Sequence, residues 1–187
     1  MRNFSKSVNK KIEPFLVERG FIYSDGKFIR ENHSGVRSMI TFDNRGVEKN
    51  SFIIMIFVNS VELDDDQGAH CLKYFTGGSL SDVPRNLPCN SSDVLDGRLQ
   101  RFIENYDEII ENYLSSFKEC ADIADSLSYD RRLAGYRGDL YLTSHNKEKA
   151  KQTYQEWLEY LPSMKHLDNE IILNLVSETQ RKIERCV

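Results

Sequence analysis

The chain, 187 residues long, is short of the features that most often betray a chemistry. Its four cysteines, Cys71, Cys89, Cys120 and Cys186, form no CxxC pair and repeat no spacing against histidine, which leaves them as structural or inert thiols. Its longest apolar run, Phe52 to Val58, is far too short to span a bilayer as a helix. The start carries Arg2, Lys6, Lys10 and Lys11 with no apolar stretch behind them, so no secretory signal is expected and a cytoplasmic location is. Gly77-Gly78-Ser79 has neither the GxSxG elbow of a hydrolase nor the Lys-Ser/Thr pair that completes a phosphate-binding loop. Charge of either sign is not in large excess: 25 Lys/Arg stand against 29 Asp/Glu for a net charge of -4, and no nucleic-acid partner is expected.

Hydrophobic residues at 40% and aromatics at 11% are ample for a core, and the length suits one domain with an extension. The charge is uneven. Residues 1–90 hold 12 basic and 11 acidic side chains, whereas residues 91–187 hold 13 and 18.

That asymmetry matches a change of grammar near Asn90. Before it, Val8, Ile12, Phe15 and Leu16 mark one face of a helix from about Asn3 to Arg19, with Pro14 as a possible kink and Gly20 as its stop. Phe21-Ile22-Tyr23 and Lys27-Phe28-Ile29-Arg30 then flank Ser24-Asp25-Gly26, a tight hairpin signal. Val36, Ser38, Ile40 and Phe42 alternate with Arg37, Met39 and Thr41, as in a half-buried strand. Phe52 to Val58 is uniformly apolar, as in a central strand covered on both faces. Cys71 to Thr76 offers a fifth strand before Gly77-Gly78.

After Asn90 the pattern is helical. Asn90-Ser91-Ser92-Asp93 supplies caps, and Leu95, Leu99, Phe102, Ile103, Tyr106, Ile109, Ile110, Tyr113, Leu114 and Phe117 keep helical spacing along one long element expected to cover the sheet. Three more helices are expected at Arg131 to Thr143, Lys147 to Leu161 and Asp168 to Arg185. Gly135 to Pro162 looks superficially like one tetratricopeptide unit, but no second copy follows at that period and one unit cannot bury its own face, so a helical extension is the plainer reading. The expected fold is α+β: an antiparallel meander of four or five strands packed by the first and central helices over residues 1–127, with a helical extension over 128–187.

No pattern here specifies a metal, a cofactor or a catalytic group. Asp64-Asp65-Asp66 with Gly68 and His70 has the right atoms for a cation, but three consecutive aspartates point in different directions and read as a solvated loop. His70 and Cys71 would face opposite sides of a strand and so make a poor nucleophile and base. His33, His145 and His166 sit in turn-like contexts.

Two regions could meet a partner. Gly77 to Cys89 is long for a connection, and Pro84 and Pro88 would stiffen the surface presented by Asp82, Arg85 and Asn86; the alternative is a covering loop plugged by Leu80, Val83 and Leu87. Glu104, Glu108 and Glu111, with Asp107 alongside, form an acidic helix face that would draw a basic partner unless it is merely solvated.

The order helix, Gly20-Phe21, hairpin with Phe28-Ile29-Arg30, strand with Ile40-Thr41-Phe42 and apolar strand Phe52 to Val58, with Gly77 to Pro88, resembles a family of uncharacterised bacterial proteins known as a domain of unknown function. The resemblance covers roughly residues 4 to 117 and implies no catalytic residues; where members often carry Gln after the Ile-x-Phe strand, this chain has Asp43-Asn44. It is similar in general outline to bacterial immunity proteins, which implies a non-enzymatic module binding a basic toxin domain, with no membrane partner. Two alternatives stand beside it: a small-ligand protein or enzyme using Arg85 for an anion and Asp82 or His70 for proton transfer, and a scaffold whose terminal helices dock a partner.

Overall fold

The computed structural model describes residues 2–43, 51–63, 71–128, 130–165 and 167–187. The aspartate run with Gly68 and His70, and likewise His166, lies outside them. Helix α1 (Arg2–Glu18) runs through Pro14 without a break. Pro14 and Lys10 both lie on the exposed side, where water can bond the Lys10 carbonyl that proline leaves without a donor. The helix closes with Phe21 N donating to Leu16 O at 3.0 Å and Gly20 N to Val17 O at 3.0 Å, a paired termination that turns the chain into the sheet.

Strands β1 (Ile22–Ser24) and β2 (Lys27–Glu31) form the expected hairpin, with Asp25 at φ 49° and Gly26 at φ 81° as a two-residue turn of this hand requires. Strands β3 (Val36–Asp43) and β4 (Ser51–Ser60) pair antiparallel over eight registered positions, and β4 lies between β3 and β5 (Lys73–Phe75). The meander continues into β6 (Leu80–Ser81), while β7 (Leu87–Pro88) returns to pair with the start of β4. The α+β meander is thus as expected, with two short strands added from within the segment read as an aperiodic loop.

One face of the sheet is packed. Phe28, Ile40, Phe42, Ile54, Ile56 and Phe75 are buried there with Val8, Ile12 and Leu16 of α1 and with Leu99 and Phe102 of α2 (Ser92–Glu104). Ser91 caps α2, its hydroxyl accepting from Val94 N at 3.3 Å. The long central helix is not uniform: a π-helical turn spans Tyr106–Glu111 before α3 (Asn112–Ser115).

The uniformly apolar β4 is not covered on both faces. Phe52, Ile54, Ile56 and Val58 are buried, but the alternate Ile53, Met55 and Phe57 stay partly exposed, because α1 and α2 pack against one face. Strand β3 departs in the other sense: Met39 and Thr41, expected toward solvent, are only 9% and 8% exposed.

Beyond the central helix, α4 (Cys120–Ser126) has no counterpart in the expected elements; it buries Cys120, Ala121, Ile123 and Ala124 and packs against α5 (Ala134–Thr143). A 3-10 turn at Arg131–Leu133 leads into α5, and α6 (Lys147–Tyr160) and α7 (Asn169–Glu184) complete the extension. Asp139 of α5 joins all three helices, accepting from Tyr154 of α6 at 2.6 Å and from Lys182 of α7 at 3.0 Å.

Gly138 allows α5 and α6 to approach this closely. A Cβ there would lie 2.4 Å from the ring of Tyr154, which is fully buried and has no room to move. Gly138→Ala is therefore expected to destabilise the protein by about 1–3 kcal/mol through overpacking, measured as a lower urea midpoint with an unchanged slope.

Candidate functional site

The acidic residues singled out on the central helix do not share one face. Asn105 and Asn112 bracket the π-turn, and their side-chain amides bond the carbonyls of Arg101 and Glu108, each at 2.7 Å. Such side-chain bonds to main-chain carbonyls compete with regular helix pairing, and these two stand at the limits of the irregular turn. The altered winding leaves Glu104, Asp107 and Glu108 exposed and turns Glu111 inward.

Glu111 is the hub of a polar cluster. Its carboxylate accepts from Arg30 Nη2, Tyr106 OH and Ser115 Oγ, each at 2.9 Å. Arg30, at the end of β2, also donates to the carbonyl of Arg19 at 3.3 Å and lies 4.7 Å over the ring of Phe21. Arg19 sits 3.7 Å over Phe15 and pairs with Asp107 at 3.5 Å. Burial acts to raise the Glu111 carboxyl, but the three hydrogen bonds and the Arg30 charge outweigh it and hold the group below its usual range. Burial, then the neighbouring Glu111 charge, pushes Tyr106 far up, so its hydroxyl stays a donor. Glu111 therefore clamps helix to sheet, while Asp107, 77% exposed, makes a longer ion pair with Arg19 beyond the end of α1. Among the described residues Glu104 holds only the amide of Gln100, at 3.0 Å, and the Glu108 side chain is exposed.

The candidates of the 77–89 segment lie elsewhere, at the β6–β7 edge. Asp82 is exposed and ion-paired with Lys73; Arg85 is exposed and enters no hydrogen bond or ion pair among the described residues. Asn86 carries a buried side-chain oxygen without a partner. Leu87 is buried as a plug should be, whereas Val83 is 69% exposed. Among the described residues no hydrogen bond or ion pair joins these three to the helix acids.

The thiols show no activated environment. All four cysteines are buried and free, and burial pushes the thiols of Cys71, Cys89 and Cys120 above their ordinary value. Among the described residues no three potential ligands are grouped for a metal, and no helix is long and apolar enough to cross a membrane.

A further surface is assembled only by the sheet. Ile22, Ile29, Met39 and Phe57 stand in one register line across β1 to β4, on the face turned away from α1 and α2, with Met55 and Tyr74 paired in the next line. Ile22 is 72% exposed, and Ile29, Met55, Phe57 and Tyr74 are partly so. Thr41 and Asn59 lie on this face, each with a buried side-chain oxygen that has no partner. The alternation in β3 hints at the face, but the register that aligns four strands cannot be read from any one of them.

Comparison of the chain with family models, curated proteins and solved structures returns no match.

Because Glu111 is held below its usual range, it stabilises the fold above its unfolded value, and that contribution disappears as pH falls through its folded value. Glu111→Gln is expected to cost about 1.5–3 kcal/mol at neutral pH, as for a lost hydrogen bond to a charged group. In denaturant titrations the gap between parent and variant should narrow as the solution is acidified below 4.5, the group's ordinary value.

Proposed function

We propose that this chain is a non-enzymatic protein-binding module: a cytoplasmic immunity protein that neutralises a bacterial toxin by direct contact. The observation that carries this reading is the register line through Ile22, Ile29 and Phe57, exposed or partly so, on either side of the buried Met39, with the partly exposed Met55 and Tyr74 beside it. Aromatic residues and methionine are enriched where proteins meet, and a contiguous apolar patch rimmed by polar groups marks a contact surface.

A basic partner suits the net charge of -4 and the two exposed helix acids, Glu104 and Glu108, that enter no ion pair among the described residues. Long-range attraction of this kind acts on the rate of encounter, and the apolar face would supply the lasting contact. The alternative of a small-ligand site at Asp82 and Arg85 is less favoured, since Asp82 is 80% exposed and already paired with Lys73.

The test is to mix the purified protein with any basic toxin domain found encoded beside it and measure toxin activity and association kinetics. Stoichiometric neutralisation is expected. Ile22→Asp and Phe57→Ala should shorten the lifetime of the complex, and joint reversal of Glu104 and Glu108 to lysine should slow association by about tenfold at low salt. Absence of binding by the folded parent protein would sink the proposal.

A further inference from the structure

Helix α7 is amphipathic, yet Thr179 is the one residue of it that is buried. The helix packs chiefly on α6 and on the 3-10 turn Leu161–Ser163, and none of its principal contacts is with the sheet. Towards its C-terminus this packing suffices, since Thr179 is buried and Ile183 lies against the core. The first two turns differ. Leu173 is 66% and Ile171 45% exposed, while Ile172, Leu175 and Val176 are only partly buried. Helical spacing gathers these five into one broad apolar arc, of the width that a helix normally lays against another element.

The sheet has the opposite deficiency. Helices α1 and α2 pack on one face, and the other carries Ile22, 72% exposed, with the partly exposed Ile29, Phe57, Met55 and Tyr74. An apolar sheet face is ordinarily covered by helices or a second sheet. The charges at the two surfaces are also opposite. Lys27 follows Ile29 on the same face of β2, and Asp168 and Glu170 stand at the start of α7; all three are exposed, and their side chains enter no hydrogen bond or ion pair among the described residues. Glu31, on the other side of Ile29, is already held by Arg37 at 2.7 Å.

We propose that each surface is covered by a second copy of this chain. In a two-fold dimer the first two turns of α7 of each protomer lie on the sheet face of its partner, with Asp168 and Glu170 brought towards Lys27. Two-fold symmetry makes the contact twice, so two modest apolar surfaces add within one complex. The sheet face is the one assigned above to a toxin, so the two occupants exclude one another, and the second copy covers the face until a partner displaces it. The pairing needs no toxin and does not rest on that reading.

The test is sedimentation equilibrium of the full chain from about 1 to 500 μM, with a dissociation constant of about 100 μM or tighter expected for the parent. Leu173→Asp and Ile22→Asp alter exposed side chains, and each should weaken the dimer by about tenfold or more, with thermal unfolding and circular dichroism confirming that both are folded. Lys27→Glu should weaken it by about threefold, as for an exposed ion pair. An equimolar mixture of Leu173→Asp and Ile22→Asp sets one intact helix on one intact sheet, and should associate about tenfold more tightly than either variant alone. Leu173→Asp leaves the sheet face unaltered and should still neutralise any toxin that the parent neutralises, which separates the failure of self-pairing from the failure of toxin binding. The proposal is overturned if the parent stays monomeric to about 500 μM, if either single variant pairs as tightly as the parent, as in a dimer made through α7 alone or the sheet alone, or if the mixture associates no better than its components.

Discussion

Phe102 is where the sheet and the helices are joined. Its ring lies 5.3 Å from Phe42, 5.6 Å from Phe75 and 5.9 Å from Tyr106, each pair inclined edge to face. Such pairs add to the burial of large apolar area, and this group links β3, β5 and the central helix at one point. With Phe102 seated, α2 lies across the meander, Tyr106 comes to the edge of the same cluster, and the π-turn begins beside it. Tyr106 in turn reaches Glu111, Glu111 holds Arg30, and Arg30 returns to the end of α1 through the carbonyl of Arg19. An aromatic contact in the core thus continues into a polar clamp closing the domain on one side.

The same arrangement makes the sheet unequal on its two faces. Helices α1 and α2 pack against one, leaving an apolar line across four strands of the other partly in water. Domains are built of layers because an apolar sheet face requires a cover, and a face only partly covered by its own chain is suited to cover by another. On the proposed reading, a partner would cover a surface of this kind, with the exposed Glu104 and Glu108 on the helical side speeding approach. The clamp and the surface are complementary outcomes of one packing decision: charges drawn into the helix–sheet junction hold the fold, and those left outside remain for a partner.

Much of this was legible in the residues. The helix stop at Gly20, the Asp25-Gly26 turn and the capping Ser91 are local signals, and each acts where it stands in the chain. Other elements were hidden for physical reasons. Strands β6 and β7 are two residues each, too short for periodicity to show, and exist because β5 and the start of β4 offer them partners. Helix α4 is seven residues rich in small side chains, stabilised by packing on α5. The π-turn could have been suspected from Asn105 and Asn112, which stand at its two limits, yet regular spacing of apolar residues across it masked the change in winding. Of the candidate contact residues, Glu104 and Glu108 kept the exposed character their spacing suggested. So did Asp107, although it pairs with Arg19, 88 positions away in the chain; Glu111 did not, since Arg30, 81 positions away, draws it inward.

By itself the sequence determined the class of fold, the division into a stranded first half and a helical second, the hairpin and the helix caps, because these depend on neighbours within a few residues. Only the tertiary structure decided which charges are consumed internally, which apolar residues of β4 stay partly exposed, and that Arg137 is buried on α5 beside Glu156 of α6. Those outcomes depend on groups remote in the chain being brought within a few ångströms, where burial and pairing set whether a side chain stabilises the fold or remains available to bind.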